Sequence, residues 1–118
     1  MERKNQCTVF DKILAGQAPA DIVFEDDDVL AFHDINPQAP IHVLVIPKRR
    51  VPRFEQLAER DALESQRFLL GIIEVIRRLE LPRDGYRVVI NSGKAGQQSV
   101  EYLHAHILGG RQMTWPPG

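Results

Sequence analysis

The chain has little cysteine, almost no net charge and no long apolar run, and each shortage excludes a class of protein. Its single cysteine, Cys7, cannot form a disulfide within the chain, which favours a reducing compartment. The formal net charge of −1 creates no overall field that would attract nucleic acid or an anionic membrane. The first residues, MERKNQC, lack the apolar stretch of a signal peptide, and no apolar run reaches the length of a membrane span. We therefore expect a cytoplasmic protein with no nucleic-acid and no membrane partner.

The length and the order of the predicted elements indicate one α+β domain over residues 1–118. A chain of this length can bury a core of its own, and its content of 43% apolar and 26% charged residues is ordinary for a globular protein. Periodicity predicts a five-stranded antiparallel sheet with one long and one short helix. Strands are expected at 21–26, 29–35, 41–48, 86–91 and 101–110, a short helix at 8–16, and a long helix at 61–81 that Pro82 and Gly85 end.

Three further segments have patterns that the fold must accommodate. The acidic run 26–28 favours a hairpin turn over a metal site, because nothing nearby completes a coordination shell. The basic run 48–54 favours a solvated loop over a nucleic-acid contact, because the chain as a whole is neutral. The long helix has a wide apolar stripe expected to be buried, made of Leu63, Phe68, Leu69, Leu70, Ile72, Ile73, Ile76 and Leu79.

Two of the four histidines, His104 and His106, stand two residues apart in the apolar run EYLHAHILGG. Side chains alternate along a strand, so both imidazoles share a face with Tyr102 and lie roughly 6–7 Å apart. Three interpretations are open: ordinary surface histidines, a zinc site completed by His42, His33 or Cys7, or nucleophilic attack by one imidazole.

The loop before this strand, NSGKAGQQS, favours the nucleophilic interpretation. Its glycines allow main-chain N–H groups to turn toward an anion. Neutral donors for a phosphate come from Asn91, Gln97, Gln98 and Ser99. A bare metal ion would need acceptors instead.

The segment YLHAHIL at 102–108 resembles the His-φ-His-φ-His-φ-φ motif of the histidine-triad family, where φ is apolar. TVFDKI, FEDDDVLAFHDINPQAP, HVLVIPK, NSGKAGQQSV and LGGRQMTWPPG also resemble its nucleoside phosphoramidase branch, in order and spacing over nearly the whole chain. The resemblance implies an α+β fold that forms a homodimer and binds purine nucleoside monophosphate-type molecules. It implies hydrolysis of the P–N bond in nucleoside 5′-phosphoramidates, with no metal and no cofactor.

The resemblance also assigns roles to residues. His104 would be the nucleophile that becomes nucleotidylated, and His106 would bind the phosphate oxygens with support from His42. Asn91 and Ser99 would contact the phosphate, and Ser99 would help to protonate the departing amine. Asp34 would accept hydrogen bonds from the ribose hydroxyls. The base would lie among Val9, Phe10, Ile13, Phe32, His33 and Ile35, and Trp115 would reach toward the partner subunit's site.

Each assignment has a plain structural alternative. Phe10, Ile13 and Phe32 could be core residues, and His33 could be a structural histidine. Asp34 could open the NPQAP turn, a role that is compatible with ribose binding. His42 could lie on the surface and Trp115 on a loose tail.

Two positions depart from the family pattern. The first histidine of the triad is Tyr102 here, whose phenol can still donate or accept a hydrogen bond, so we expect activity to be retained. Gln97 stands where the branch commonly has glycine beside the phosphate. His106 is present where the nucleotidyltransferase branch has glutamine, which favours hydrolysis over transfer. The alternative functions are a nucleotide-binding scaffold with little turnover and a zinc protein using His42, His104 and His106.

Overall fold

The computed structural model describes residues 7–81 and 83–118 and confirms the α+β architecture. Five strands form one antiparallel sheet in the order β1-β2-β3-β5-β4. The strands are β1 Ile22–Glu25, β2 Val29–His33, β3 Ile41–Pro47, β4 Arg87–Ile90 and β5 Ala105–Gly109. The helices are α1 Val9–Leu14 and α2 Ala62–Arg78, and a short 3₁₀ helix, Phe54–Glu59, lies between β3 and α2.

The short helix α1 begins where the sequence predicts it to begin. Thr8 accepts a hydrogen bond from the main-chain N–H of Asp11, and the Asp11 carboxylate accepts from the main-chain N–H of Thr8. This reciprocal pair satisfies two of the free N–H groups at the helix start. Beyond the helix, Gly16 adopts a φ of 76°, a left-handed conformation that glycine tolerates. The cap orients α1 so that Phe10 is buried.

The long helix α2 is shorter and less deeply buried than the sequence predicts. Asp61 caps its start, and it ends at Arg78, after which Glu80 turns the chain with a φ of 56°. Pro82, which was expected to stop it, lies outside the described residues. The buried face consists of Phe68, Gly71, Ile72, Val75 and Ile76.

The expected burial of Leu63, Leu69, Leu70 and Ile73 is wrong, because each of these side chains is 43–55% exposed. The helix lies on the sheet through a narrow face that contains Gly71. A Cβ atom at Gly71 would stand 2.7 Å from a methyl group of Val29. An approach this close restricts contact to one stripe of the helix and leaves the flanking apolar residues in solvent.

The sheet separates two apolar clusters, as alternation along the last strand predicts. Leu103, Ala105 and Ile107 belong to the cluster on the α2 side. Tyr102 belongs to the cluster on the α1 side, together with Phe10 and Phe32. His104 and His106 therefore point away from α2, toward the side covered by α1.

Three local expectations change in detail. The ladder of β5 begins at Ala105 and not at Glu101, because the chain bends at residues 100–102 before it joins the sheet. The 3₁₀ helix begins within the segment expected to be a loop, at Phe54. The acidic run is a turn, as expected, because Asp26 Oδ1 accepts the main-chain N–H groups of Asp28 and Val29. Across the described residues, no helix has the length and apolarity needed to cross a bilayer.

Candidate active site

Three histidines meet on the face of the sheet that α1 covers. His42 lies on β3 and His106 on β5, and the pairing of these strands sets Leu44 opposite His106. The ring centroids of His42 and His106 are 5.1 Å apart, and those of His104 and His106 are also 5.1 Å apart. The sheet therefore brings together the three histidines that the sequence analysis selected, including His42, whose alternative surface position is wrong.

Two of these histidines are almost fully buried. His104 is 3% exposed and His42 is 5% exposed, while His106 is partly exposed. The edge of Phe10 packs against the His104 ring with centroids 5.0 Å apart. Side chains buried this deeply must have their ring nitrogens satisfied by specific partners.

A chain of hydrogen bonds determines where His42 and His106 carry their protons. The main-chain N–H of Gln38 lies 3.0 Å from His42 Nδ1, and since an amide N–H can only donate, Nδ1 accepts. Neutral His42 must then hold its proton on Nε2, which lies 2.9 Å from His106 Nδ1 and donates to it. His106 in turn carries its proton on Nε2. This ring therefore offers an N–H donor with its second nitrogen.

The proton of His104 is fixed in the opposite position. Its Nδ1 lies 2.7 Å from the main-chain carbonyl oxygen of Tyr102, and a carbonyl can only accept. Neutral His104 therefore carries its proton on Nδ1, which leaves a lone pair on Nε2. Two neighbouring rings thus present complementary atoms, an acceptor lone pair on His104 and a donor N–H on His106.

All three rings have lowered pKa values. Burial lowers the pKa of His106 from the ordinary value of 6.5 to about 4, helped by the neighbouring His104 and His42. Burial also lowers the pKa of His104 and of His42, opposed in both cases by the Asp34 carboxylate. The rings are consequently neutral at pH 7, and neutral imidazole is the nucleophilic form.

Asp34 opens the turn after β2, as the sequence analysis predicted beside its compatible role in ribose binding. Its Oδ1 accepts the main-chain N–H of Asn36 at 2.8 Å, and its Oδ2 lies 3.4 Å from His42 Nε2. Asp34, His42 and His106 also form the one group among the described residues whose three potential metal-ligating atoms lie within 4.8 Å of one another. His104, named in the zinc hypothesis, is not in this group.

The loop before β5 is held by Gln98. Its Oε1 accepts from the main-chain N–H of Gly93 at 2.8 Å, and its Nε2 donates to the carbonyl oxygens of Pro52 and Val100. These three bonds commit the amide to the loop itself. Gln97 and Ser99 are exposed and Asn91 is partly buried, and contact of these residues with a phosphate stays a prediction.

The residues expected around the base divide into two groups. Phe10 and Phe32 are buried, so their core alternative holds whether or not they also touch a ligand. Ile13 is partly buried. The others lie on the surface: Val9, His33, Ile35 and Trp115, the last two 99% and 81% exposed. A base site built from these side chains stays a prediction.

The phenol of Tyr102 forms its hydrogen bond away from the histidine cluster. The side chain is fully buried, and its hydroxyl donates to the carbonyl oxygen of Pro47, away from His104. The Arg50 guanidinium lies 5.9 Å from the centre of its ring. It is the main chain of Tyr102 that contacts the nucleophile.

Sequence reasoning missed Gln38 and the main-chain carbonyl of Tyr102. Both act through main-chain atoms, which every residue type possesses, so residue identity gives no signal for them. Only the fold brings these atoms to the imidazoles.

The fold and the histidine cluster define a protein of the HIT family, to which this chain belongs. The family profile described as "HIT domain" matches residues 15–113. The chain falls in the Hint-like branch, since it is similar to the protein named "Adenylylsulfatase HINT1" from Arabidopsis thaliana. The two are 46% identical over 113 residues, which cover 94% of this chain and 76% of the relative.

Two further proteins are similar to this chain, one compared by sequence and one by three-dimensional structure. The "14 kDa zinc-binding protein" of Zea mays is 50% identical over 113 residues, which cover 94% of this chain and 88% of that protein. The crystal structure of a HIT family hydrolase from Legionella pneumophila superposes with a TM-score of 0.87 at 44% identity, covering 93% of this chain and 98% of that one.

Proposed function

We propose that this protein is a purine nucleoside phosphoramidase, which hydrolyses the P–N bond of nucleoside 5′-phosphoramidates through a nucleotidylated histidine. The observation that carries the proposal is the pairing of a free lone pair on His104 Nε2 with an N–H donor on His106 Nε2. A phosphoryl centre needs both a nucleophile for phosphorus and a donor for its oxygens. The resemblance to HIT family hydrolases supports the same conclusion.

In the first step, His104 Nε2 attacks the α-phosphorus. A new P–N bond to imidazole forms as the P–N bond to the amine breaks, and the amine takes up a proton delivered through Ser99. The His104 ring becomes positively charged, and its Nδ1–H strengthens its bond to the Tyr102 carbonyl. His106 donates to a non-bridging phosphate oxygen throughout.

In the second step, water attacks the same phosphorus and releases one proton, which balances the proton that the amine took up through Ser99. The P–N bond to His104 breaks, the ring returns to its neutral form, and nucleoside monophosphate leaves. The Nδ1–H stays on His104 during both steps, so the ring starts the next cycle in the correct tautomer. Splitting one difficult displacement into two easier ones is the advantage of a covalent intermediate.

The remaining assignments complete the proposed substrate site. Asp34 accepts from the ribose hydroxyls with the oxygen that the turn leaves available. Asn91, Gln97 and Ser99 line the phosphate loop, and Phe10, Phe32 and Ile13 support the base. The side chain of Gln98 acts on the substrate only indirectly, through the loop that its three hydrogen bonds hold.

The test is turnover of a fluorogenic adenosine phosphoramidate, combined with intact-mass analysis of the protein mixed with substrate. We expect an adenylyl group on wild type and none on His104→Ala, with turnover of the variant lower by several orders of magnitude. Tyr86→Phe is the control, since it changes an exposed side chain that has no role in the proposed site. Equal turnover by wild type and His104→Ala would contradict the proposal. Nucleotide binding with negligible turnover by wild type would favour the scaffold alternative.

The leaving group is the least determined part of the substrate. The Arabidopsis relative is named for adenylyl sulfate, in which sulfate stands where a phosphoramidate has an amine. Both substrates would give the same adenylylated His104. They differ in the leaving group, because an amine must take up a proton to depart and sulfate need not. Comparing the two substrates with Ser99→Ala separates them, because only amine departure should slow in that variant.

Zinc binding is the second candidate, favoured by the name of the maize relative and by the Asp34, His42 and His106 group. The hydrogen bonding of His42 opposes it. A histidine that binds metal through one nitrogen normally donates an N–H from the other, whereas His42 Nδ1 accepts one from Gln38. Metal analysis of the purified protein decides, and we expect less than stoichiometric zinc.

We also propose that the protein is a cytoplasmic homodimer, as the family resemblance implies. The exposed apolar residues of α2 support the dimer, since Leu63, Leu70 and Ile73 recur on one side of the helix. An exposed apolar stripe on a helix is typical of a protein–protein contact.

A further inference from the structure

The connection between β2 and β3, residues 34–40, contacts His42 through its main chain. Its Gln38 donates its main-chain N–H to His42 Nδ1, and the carbonyl oxygen of the same residue accepts from Arg111 Nε at 3.0 Å. Arg111 lies two residues beyond the end of β5 at Gly109, so Gln38 contacts both His42 on β3 and the chain that follows β5. Gly110 makes this approach possible, since a Cβ there would lie 2.9 Å from Pro40.

We propose that Gln38, held by Arg111, is a positioning residue that sets the tautomers of His42 and His106 and thereby makes the site specific for an anion. The identity of the anion, a phosphoryl group, rests on the proposed function. The hydrogen bonds that determine the tautomers do not depend on it. Arg111 supports this role indirectly, because it holds the carbonyl oxygen of Gln38 and does not contact the histidines through this bond.

The Gln38 donor determines the proton positions of two successive rings. If His42 carried its proton on Nδ1, that N–H would face the N–H of Gln38, donor against donor. The observed tautomer avoids this clash and sends the His42 proton toward His106 Nδ1. His106 is then left with an N–H on its outer nitrogen, Nε2, which suits an oxyanion and repels a cation.

Without the Gln38 donor, only the Asp34 carboxylate, 3.4 Å from His42 Nε2, would still favour a proton on that atom. His42 could then hold its proton on Nδ1 and accept from His106 Nδ1–H through Nε2. His106 would present a lone pair on Nε2 to the phosphate, two negative partners would face each other, and transition-state binding would weaken. The main-chain amide of Gln38 thus determines the tautomer of His106 through the imidazole ring of His42.

The experiment measures ring tautomers directly by nitrogen-15 NMR of histidine-labelled protein at pH 7, with no substrate present. In wild type we expect the proton of His42 and of His106 on Nε2, and that of His104 on Nδ1. Gln38→Pro removes the N–H, and Gln38→Ala is its matched control because it keeps the main-chain donor. We expect His42 to change tautomer, wholly or in part, in the proline variant only.

Arg111 is tested by a second series that leaves Gln38 intact. Arg111→Met should give a mixture of His42 tautomers because methionine has no donor, and Arg111→Lys should restore the wild-type pattern because its ammonium can still donate to the Gln38 carbonyl. Arg78→Gln is the control, since it removes an arginine of α2 that pairs with Glu74 and lies away from the cluster. We expect its His42 signals to be unchanged.

Turnover supplies the functional readout. We expect kcat to fall about tenfold or more in Gln38→Pro and less in Arg111→Met, the scale of losing a partner that orients a ligand-binding histidine. A residue with a merely structural role would lower the melting temperature without altering tautomers.

A proton on Nδ1 of His42 in wild type would overturn the inference. So would an unchanged His42 tautomer in a folded Gln38→Pro protein. If wild type instead shows the expected tautomers and no turnover of phosphoramidates, the proposed function fails while the positioning by Gln38 stands.

Discussion

The main-chain carbonyl of Tyr102 accepts a hydrogen bond from Nδ1 of His104 at 2.7 Å, two residues further along the same chain segment. The residue that replaces the first histidine of the triad therefore contacts the proposed nucleophile through an atom that its side chain does not alter. The phenol has a separate task, a buried hydrogen bond to Pro47. Position 102 thus combines a main-chain role in the site with a side-chain role in stability.

Tyr102→Phe should lower stability and spare turnover. The change removes the hydroxyl and leaves the Pro47 carbonyl oxygen buried without its donor, which costs about 1–3 kcal/mol. The carbonyl of residue 102 stays in place, so kcat should change less than threefold (about 0.7 kcal/mol at 1.4 kcal/mol per tenfold). Urea unfolding and phosphoramidate turnover measure the two effects. Tyr86→Phe, at an exposed position, should change neither, and a large loss of turnover in Tyr102→Phe would contradict the division of tasks.

Gln97→Gly should raise stability modestly. Gln97 has a φ of 67°, a left-handed conformation that costs a residue with a Cβ about 1–2 kcal/mol. The greater freedom of glycine in the unfolded chain offsets part of the gain, so we expect a net increase below about 1 kcal/mol in the free energy of unfolding.

Gln98→Ala provides the contrast to this change at the neighbouring position. It should destabilise the protein, because it removes the amide that bonds Gly93, Pro52 and Val100. Chemical denaturation compares the two variants with wild type. A Gln97→Gly protein less stable than wild type would show that the glutamine side chain has a stabilising contact of its own.

Acid should destabilise the protein through His106 between pH 6.5 and about 4. The folded-state pKa of His106 lies below its unfolded value, so in this window the unfolded state binds a proton that the folded state does not. Stability is therefore complete above pH 6.5, declines as the pH falls, and levels off below the folded pKa with respect to this group. His104 and His42 act in the same direction.

Urea unfolding of wild type and His106→Asn at pH 7, 6 and 5 tests this expectation. The difference in stability between the two proteins should shift in favour of the variant as the pH falls, since asparagine does not titrate. A difference that stays constant over this range would mean that His106 titrates normally in the folded protein.

Ile73→Glu should convert a dimer into a monomer. The side chain is 43% exposed on the apolar side of α2, where a carboxylate would be buried without a partner in a dimer contact. Light scattering after size-exclusion chromatography gives the mass, and Gln17→Glu, which adds a carboxylate at an exposed position beyond α1, is the control. A wild-type monomer at micromolar concentration would refute the proposed dimer.

The burial of α2 shows where the sequence pattern is not sufficient. Periodicity identified the helix, and it predicted the burial of Phe68, Ile72 and Ile76. It could not separate these residues from Leu63, Leu70 and Ile73, because an apolar side chain has the same pattern whether it meets the sheet or a second molecule. The distance between Gly71 and Val29 makes the distinction, and that distance depends on the packing of two elements far apart in the chain.

The sequence alone determined which segments form strands and helices, the alternation that turns His104 and His106 to one face, and the family that these motifs resemble. Those features depend on local periodicity and on residue identity. Only the tertiary structure decided where the protons lie, because the partners of the imidazoles are the main-chain atoms of Gln38 and Tyr102. Main-chain donors and acceptors are the same in every residue, so their positions follow from the folded path of the chain alone.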